Sequence, residues 1–278
     1  MSVEVPTHLP VRADGQRLRH LSVSSLDLFY RCPELWRRKY LARQPLPTSG
    51  AMHLGRMCDE VISAWFASRL TDAPQGLADT LDLYATRWDA SSRDVRFDPP
   101  LPEAVLRERG VQVVARYILG PGQAITPVAV QREIRLRLHP SLSWDLLGYL
   151  DVETATGLVV DVKVKARHVT ATTVERSLQP NAYLLARRHE QNPATGFEYH
   201  SIRHTKNGID IRVIPAPRTG RNLDAFAARL ALAARHISDM ADRYGPCGVW
   251  PLATPEHWAC SHRYCSAYSS CPGGAGFG

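Results

Sequence analysis

Between Leu147 and Lys163 the chain puts charge inside an apolar hairpin, and this constrains its fold more than any other stretch. Two short runs rich in Val and Leu read as strands joined by a tight turn at Ala155-Thr156-Gly157. Asp151 stands at the end of the first strand and Asp161-Val162-Lys163 on the second. A hairpin can bring the two aspartates together, and Asp161 and Lys163, two residues apart, share one strand face. A carboxylate within an apolar strand is costly unless a partner offsets it. Two carboxylates can hold a divalent cation through oxygen, with the ammonium beside them to orient a water or stabilise charge on a phosphate. The alternative is a surface hairpin with a solvated acid and a salt bridge. The hairpin alone does not choose between them.

The flanking patterns place this hairpin in a mixed α/β layer. Residues up to about 20 show no periodicity and read as an extended arm. Ser24-Ser25-Leu26-Asp27 reads as a helix start, and Cys32-Pro33 interrupts or divides the helix that follows. His53 to Leu70 carries Met57, Val61, Ile62, Trp65 and Phe66 at helical spacing, and further helices are expected near Leu77–Trp88 and Pro102–Leu119. From Thr126 the period changes to two, with Val128, Val130, Ile134, Leu136 and Leu138 in alternation, leading into the hairpin. Thr172 to His189 reads as one helix with Gln179 and Tyr183 on one face. Phe197–Arg203 and Ile209–Ile214 read as a strand pair around Asn207-Gly208. Arg221–Tyr244 reads as an amphipathic helix, and a loop-like tail follows. The divisions expected are 1–50 (arm and first helix), 51–122 (helical region), 123–244 (core) and 245–278 (tail), together one compact domain.

Six cysteines, with Cys260, Cys265 and Cys271 crowded near the end, suggest metal ligands or buried thiols more than a disulfide framework. No apolar run approaches a bilayer span and no signal peptide is evident, so a cytoplasmic protein without membrane attachment is expected. The net charge of +7 and pI near 9.3 point to a polyanionic partner. Only Lys39, Lys163, Lys165 and Lys206 among the 34 basic residues are Lys; the Arg excess fits phosphate recognition or coding bias equally.

The succession Gly148-x-x-Asp151, Asp161-x-Lys163 and Gln179-x-x-x-Tyr183 resembles the PD-(D/E)XK nuclease superfamily in its RecB-like branch. Ser24-Ser-Leu, Cys32-Pro33, and the C-x4-C-x5-C run of Cys260, Cys265 and Cys271-Pro272 resemble members of that branch with an iron–sulfur cluster. Such members include CRISPR-associated RecB-like exonucleases, the nuclease domain of AddB, and phage exonucleases. The resemblance spans Ser24 to Pro272, apart from the helical part between Ala67 and Gly120. It implies a restriction-endonuclease-like α/β core, a central mixed sheet flanked by helices, with a helical insert and a cysteine-rich C-terminal region.

The resemblance further implies that Asp151, Asp161 and the main-chain carbonyl of Val162 ligate magnesium or manganese, that Lys163 is the catalytic lysine, and that Gln179 and Tyr183 line the groove. Glu133 is either a supporting metal contact or a partner of Arg135 or Arg137. The family's histidine, expected shortly after Gly55, is replaced by Cys58, read either as a soft ligand or as a buried apolar side chain. His53 lies about 140° round the helix from it. Cys32, Cys260, Cys265 and Cys271 are expected to hold a [4Fe–4S] cluster with a structural task, with zinc or free thiols as alternatives. Trp258, Tyr264 and Tyr268 are expected to shield that cluster, with base stacking as their other use. Arg37 and Arg38, on a basic helix face, and Lys165, Arg167 and His168, just past the catalytic strand, are the expected phosphate contacts. The implied activity is a metal-dependent DNA exonuclease acting on single strands or duplex ends in recombination, repair or CRISPR adaptation. A helicase, a single-strand annealing protein or CRISPR adaptation proteins are its expected partners. The alternative is a catalytically impaired DNA-binding accessory module of the same fold.

Overall fold

The computed structural model describes residues 10–99, 101–137, 145–254, 256–262 and 264–275. Leu138, the first nine residues of the expected arm and the last three of the tail lie outside them. The elements in chain order are β1 (His20–Ser22), α1 (Val23–Arg31), α2 (Pro33–Tyr40), β2 (Thr48–Ser49), α3 (Gly50–Ser68), α4 (Leu77–Ser91), β3 (Val95–Arg96) and α5 (Glu103–Ile118). Then follow β4 (Pro127–Arg137), β5 (Asp145–Thr154), β6 (Leu158–Val164), α6 (Ala171–Arg176), α7 (Leu178–His189), β7 (Gly196–Thr205), β8 (Gly208–Pro215), α8 (Gly220–Tyr244) and α9 (Pro272–Ala275).

The main sheet is mixed, in the order β1-β5-β6-β7-β8 with β4 also paired to β5. Strands β5 and β6 are antiparallel, with Val152 opposite Val160, and Gly157 takes the positive φ of 78° that their tight turn requires. Strands β6 and β7 are parallel, which demands a crossover, supplied by α6 and α7. The β7–β8 hairpin turns at Lys206-Asn207, with Gly208 at φ 109°. This is the expected α/β class, a central mixed sheet flanked by helices.

Two helical expectations change in detail. Helix α1 is capped by Ser22, whose hydroxyl accepts from the Ser25 amide (3.1 Å) while Ser25 Oγ accepts from the Ser22 amide (3.0 Å), so Asp27 falls beyond the first turn. The expected helix 172–189 is two, because Pro180 would clash with the carbonyl four residues back; the chain turns extended at Ser177 and restarts as α7. The Cys32-Pro33 break falls as expected, with Pro33 opening α2.

Two compact units contain these elements, one of residues 47–133 and 149–218, the other of residues 1–46, 134–148 and 219–278. In the first, α3, α4 and α5 share a core with the sheet, in which Phe66, Tyr84, Trp88 and Tyr117 meet Val160, Val162 and Ile202. The helices expected as an insert are therefore integral to the core. Tyr84 reaches so far into it that a Cβ at Gly110 would overlap its hydroxyl. One buried polar cluster of this core is paired throughout: Tyr117 Oη meets His200 Nδ1 at 2.8 Å, and His200 Nε2 meets Glu198 at 2.9 Å.

In the second unit, β1 pairs in parallel with the start of β5, and α1, α2 and α8 enclose Leu26, Phe29, Trp36, Phe226, Leu230 and Ile237. The tail is fastened to α2 by stacking of Trp250 on Trp36, with ring centroids 5.6 Å apart, and by one buried acid. Glu34 accepts from Arg37 (2.7 and 2.9 Å), Arg38 (2.7 Å) and the Trp250 amide (2.9 Å), while Arg38 also donates to the Ser270 carbonyl at 3.0 Å.

Burial alone would raise the pKa of Glu34, but the bonds from Arg37, Arg38 and Trp250 outweigh it and hold the pKa below its ordinary value. A carboxylate with a depressed pKa stabilises the fold above its unfolded pKa and stops doing so as pH falls through the folded one. Glu34→Gln is expected to cost about 3 kcal/mol in urea unfolding at pH 7. That difference should shrink when the measurement is repeated in acid, below the ordinary Glu range.

Candidate active site

The hairpin register that sets Val152 against Val160 places Asp151 opposite Asp161 one step further along. Asp161 is fully buried and Asp151 nearly so, and like charges directly across a strand pair repel. Lys163 answers them, its ammonium lying 2.7 Å from Asp161 Oδ1 and 2.6 Å from Oδ2. The second contact is not aligned as a hydrogen bond, so Asp161 Oδ2 is left without one. Asp151 accepts from the Val162 amide at 3.2 Å, and Gln179 of α7 donates to Asp161 Oδ1 and lies 3.3 Å from the Tyr183 hydroxyl. Asp151, Asp161, Lys163, Gln179 and Tyr183 are thus one constellation.

A third carboxylate joins it. Asp59 of α3 has its pKa raised to about 6, chiefly by burial, with Lys163 opposing and the charges of Asp161 and Glu60 adding to the rise. Asp151 is pushed well above the ordinary range by burial, then by Asp161, against Lys163. Burial opposes the charge on Lys163, yet Asp161, Asp151 and Asp59 outweigh it and raise its pKa, so the side chain stays an ammonium. Tyr183 is shifted up by burial and then by the two aspartates, and keeps its proton.

Asp59 was within reach of the sequence. Ile62, Ser63 and Phe66 stand three, four and seven residues beyond it, so an acid here shares the inward face of a helix. Cys58 is one position, or about 100°, away. It is fully buried among Met57, Val61 and Ile62, and burial drives its thiol pKa far up, so its side chain packs in the core.

Glu133 is also displaced from the expected site: it is exposed and accepts from the Tyr149 hydroxyl at 3.2 Å. Its intended place is taken by Gln131, whose φ of 47° breaks the alternation of β4. The Gln131 amide donates to Ser63 Oγ (2.9 Å) and approaches Asp151 Oδ1 (3.5 Å). Two residues past Asp151, Glu153 is held by Arg132 of β4 (3.0 Å) and Arg187 of α7 (2.7 Å), which ties the helix bearing Gln179 and Tyr183 to the sheet.

A sequence model of the PD-(D/E)XK nuclease superfamily matches residues 20–272. The chain belongs to that superfamily. A crystal structure of a protein from Eubacterium rectale named "Putative exonuclease" resembles this PD-(D/E)XK protein in fold, with a TM-score of 0.58 and 14% identity, over 88% of each chain. No curated protein matches its sequence.

Just beyond the Asp-x-Lys strand of this PD-(D/E)XK protein, Lys165 and Arg167 are exposed. His168 does not reach outward with them: it bridges Ser201 Oγ (3.1 Å) and Asp210 (2.8 Å) and anchors their turn to the β7–β8 hairpin. Arg37 and Arg38 are corrected outright. Both are buried with their donors committed to Glu34, Pro246 and Ser270, so neither is a DNA contact.

In the second unit, Cys32, Cys260, Cys265 and Cys271 line a single cavity of about 220 Å³. Burial raises the pKa of Cys260 and Cys265, and the neighbouring cysteines raise them further, as close thiols do. Tyr264 and Tyr268 line the same cavity, whereas Trp258 does not and is 63% exposed. Cys247 is exposed and apart from the four. Among the described residues, no three His, Cys, Asp or Glu side chains form a ready coordination shell. No described helix is long and apolar enough to cross a membrane.

Cys58 and Asp59 are separable by mutation. In a DNA-hydrolysis assay, Cys58→Ala should change the rate only a few-fold while lowering thermal stability by about 1–2 kcal/mol. Asp59→Asn should reduce the rate by at least the ~10–100-fold typical of losing a group that supports a metal site.

Proposed function

We propose that this chain is a divalent-metal-dependent deoxyribonuclease, an exonuclease of the RecB-like branch that carries a structural [4Fe–4S] cluster. The observation carrying its hydrolytic role is the gathering of Asp59, Asp151 and Asp161 about Lys163. Three carboxyl groups crowd one ammonium, which raises the pKa of Asp59 and Asp151 and favours a cation that would relieve the crowding, and Asp161 Oδ2 has no hydrogen bond. These are the hard oxygen donors that Mg²⁺ or Mn²⁺ takes, and with Cys58 in the core no soft donor favours manganese. Asp151, Asp161, the Val162 carbonyl and Asp59 would hold the ion. When bound, such an ion supplies Lewis acidity at a phosphate oxygen and acidifies a coordinated water.

The remaining work falls to the chain's own groups. Lys163, held as an ammonium, cannot accept a proton from water; it stabilises charge developing on the phosphate. Gln179 fixes the orientation of Asp161, and Tyr183 presents a protonated hydroxyl beside it. Lys165 and Arg167, exposed just past Lys163, would contact phosphates of the substrate. Cys32, Cys260, Cys265 and Cys271 are a donor set suited to a cubane cluster, with zinc as the other metal that four thiolates accept. The substrate is a single strand or a duplex end, in recombination, repair or CRISPR adaptation, with a helicase, an annealing protein or adaptation proteins as partners. A catalytically impaired binding module would be expected to lack part of the acidic set, and the presence of Asp59 beside Asp151 and Asp161 argues against it.

Protein purified anaerobically should release nucleotides from end-labelled linear DNA with Mg²⁺ or Mn²⁺, stop on addition of EDTA, and leave a covalently closed circle intact. Asp161→Asn and Lys163→Ala should each slow release by about a hundredfold or more. Undiminished activity in either variant, or none in the unaltered protein, overturns the hydrolytic role. Separately, elemental analysis should find about four irons per chain with a brown absorption band, both lost on Cys260→Ser; one zinc and no iron would replace the cluster with a zinc clamp.

A further inference from the structure

At the rim of the four-cysteine cavity the second unit exposes aromatic rings that a soluble fold has reason to bury. Trp258 and Tyr264 stand edge to face with centroids 5.3 Å apart, and His257 stacks on the Trp258 ring at 5.7 Å. The Arg31 guanidinium lies 5.6 Å above the same indole, although it also pairs with Asp27 at 2.5 Å. The preceding residue of α1 repeats the motif: Tyr30 is 40% exposed, has the Arg229 guanidinium 5.0 Å over its ring, and donates its hydroxyl to the Arg229 carbonyl at 2.7 Å. Consecutive α1 residues thus belong to two arginine-capped aromatic pairs. Arg31 and Tyr264 also line the cavity, so the strip and the cysteines are one piece of structure.

We propose that Trp258 and Tyr264, with Arg31, form a stacking strip that binds unpaired bases of single-stranded DNA. The inference rests on the nuclease function proposed above, which supplies the polyanion. Flat π-faces with nearby guanidinium groups suit unpaired bases and their phosphates without regard to sequence. A duplex keeps its bases stacked on one another and offers such rings only its ends. The chain's net charge of +7 favours a polyanion over a neutral protein surface. The strip would hold a strand by its bases, whereas Lys165 and Arg167 hold only phosphates.

The test measures anisotropy of a labelled oligothymidylate of about 20 nucleotides, and of an abasic strand of the same length, in EDTA so that nothing is cleaved. The unaltered, cluster-loaded protein should bind the oligothymidylate at least about tenfold more tightly than the abasic strand. The paired change Trp258→Ala and Tyr264→Ala should erase that preference, and Trp258→Phe with Tyr264→Phe should restore most of it. Equal affinity of the unaltered protein for both strands overturns the strip, even if the alanine variant fails to fold. An unchanged preference in a folded, iron-loaded alanine variant overturns it too. Because hydrolysis is assayed separately, base-dependent binding without cleavage would sustain the strip and sink the nuclease function. Cleavage without base preference would do the reverse.

Discussion

The contact of Lys163 with Asp161 is the interaction on which the first unit depends. Asp161 is fully buried on a central strand, opposite a second buried carboxylate, and no apolar packing offsets two such charges. The ammonium two residues along the same face neutralises part of that charge from within the same strand, Gln179 of α7 donates to Asp161, and Asp59 of α3 adds a further acid to the charge that Lys163 answers. What remains is a site left deliberately short of positive charge. Burying this excess of acid costs stability, a cost that the proposed divalent cation would offset.

The supporting structure is built to keep the helices that serve this site in place. Arg132 and Arg187 grip Glu153 from β4 and α7, and Glu190 accepts from both arginines, closing a four-residue ion network behind Gln179 and Tyr183. His168, Ser201 and Asp210 resemble a catalytic triad in composition, but Ser201 is fully buried and also accepts from the Val169 amide at 3.0 Å. Its hydroxyl is a structural acceptor, and the three residues serve to fix the turn that carries Lys165 and Arg167.

The strands and most helices were legible because their periods are unmixed and their turns carry Gly157 and Gly208 at positive φ. The hairpin, Gln179 and Tyr183 were legible for the same reason: strand alternation and i,i+4 spacing define faces without tertiary knowledge. The failures share a physical cause. Arg37 and Arg38 look like a solvated basic face until Glu34, on the same helix, is buried and claims them, which is a tertiary event. Glu133 loses its expected face to one residue of positive φ at Gln131, a bulge that no alternation pattern reveals. The break at Ser177 could have been read from Pro180, three residues on.

Cys58 and Asp59 show how sharp the phase of a helix is. One residue is a rotation of about 100°, enough to exchange a core position for a site position. At Cys58 the wall of the helix meets Met57, Val61 and Ile62, and a thiol there is simply a small apolar group. At Asp59 it comes under the charges of Lys163 and Asp161, and a carboxylate there adds to the acid around the ammonium. The chain therefore separates its carboxylates and its thiols by place as well as by chemistry. Acidic side chains gather in the sheet unit, and the four thiols that share a cavity lie in the other.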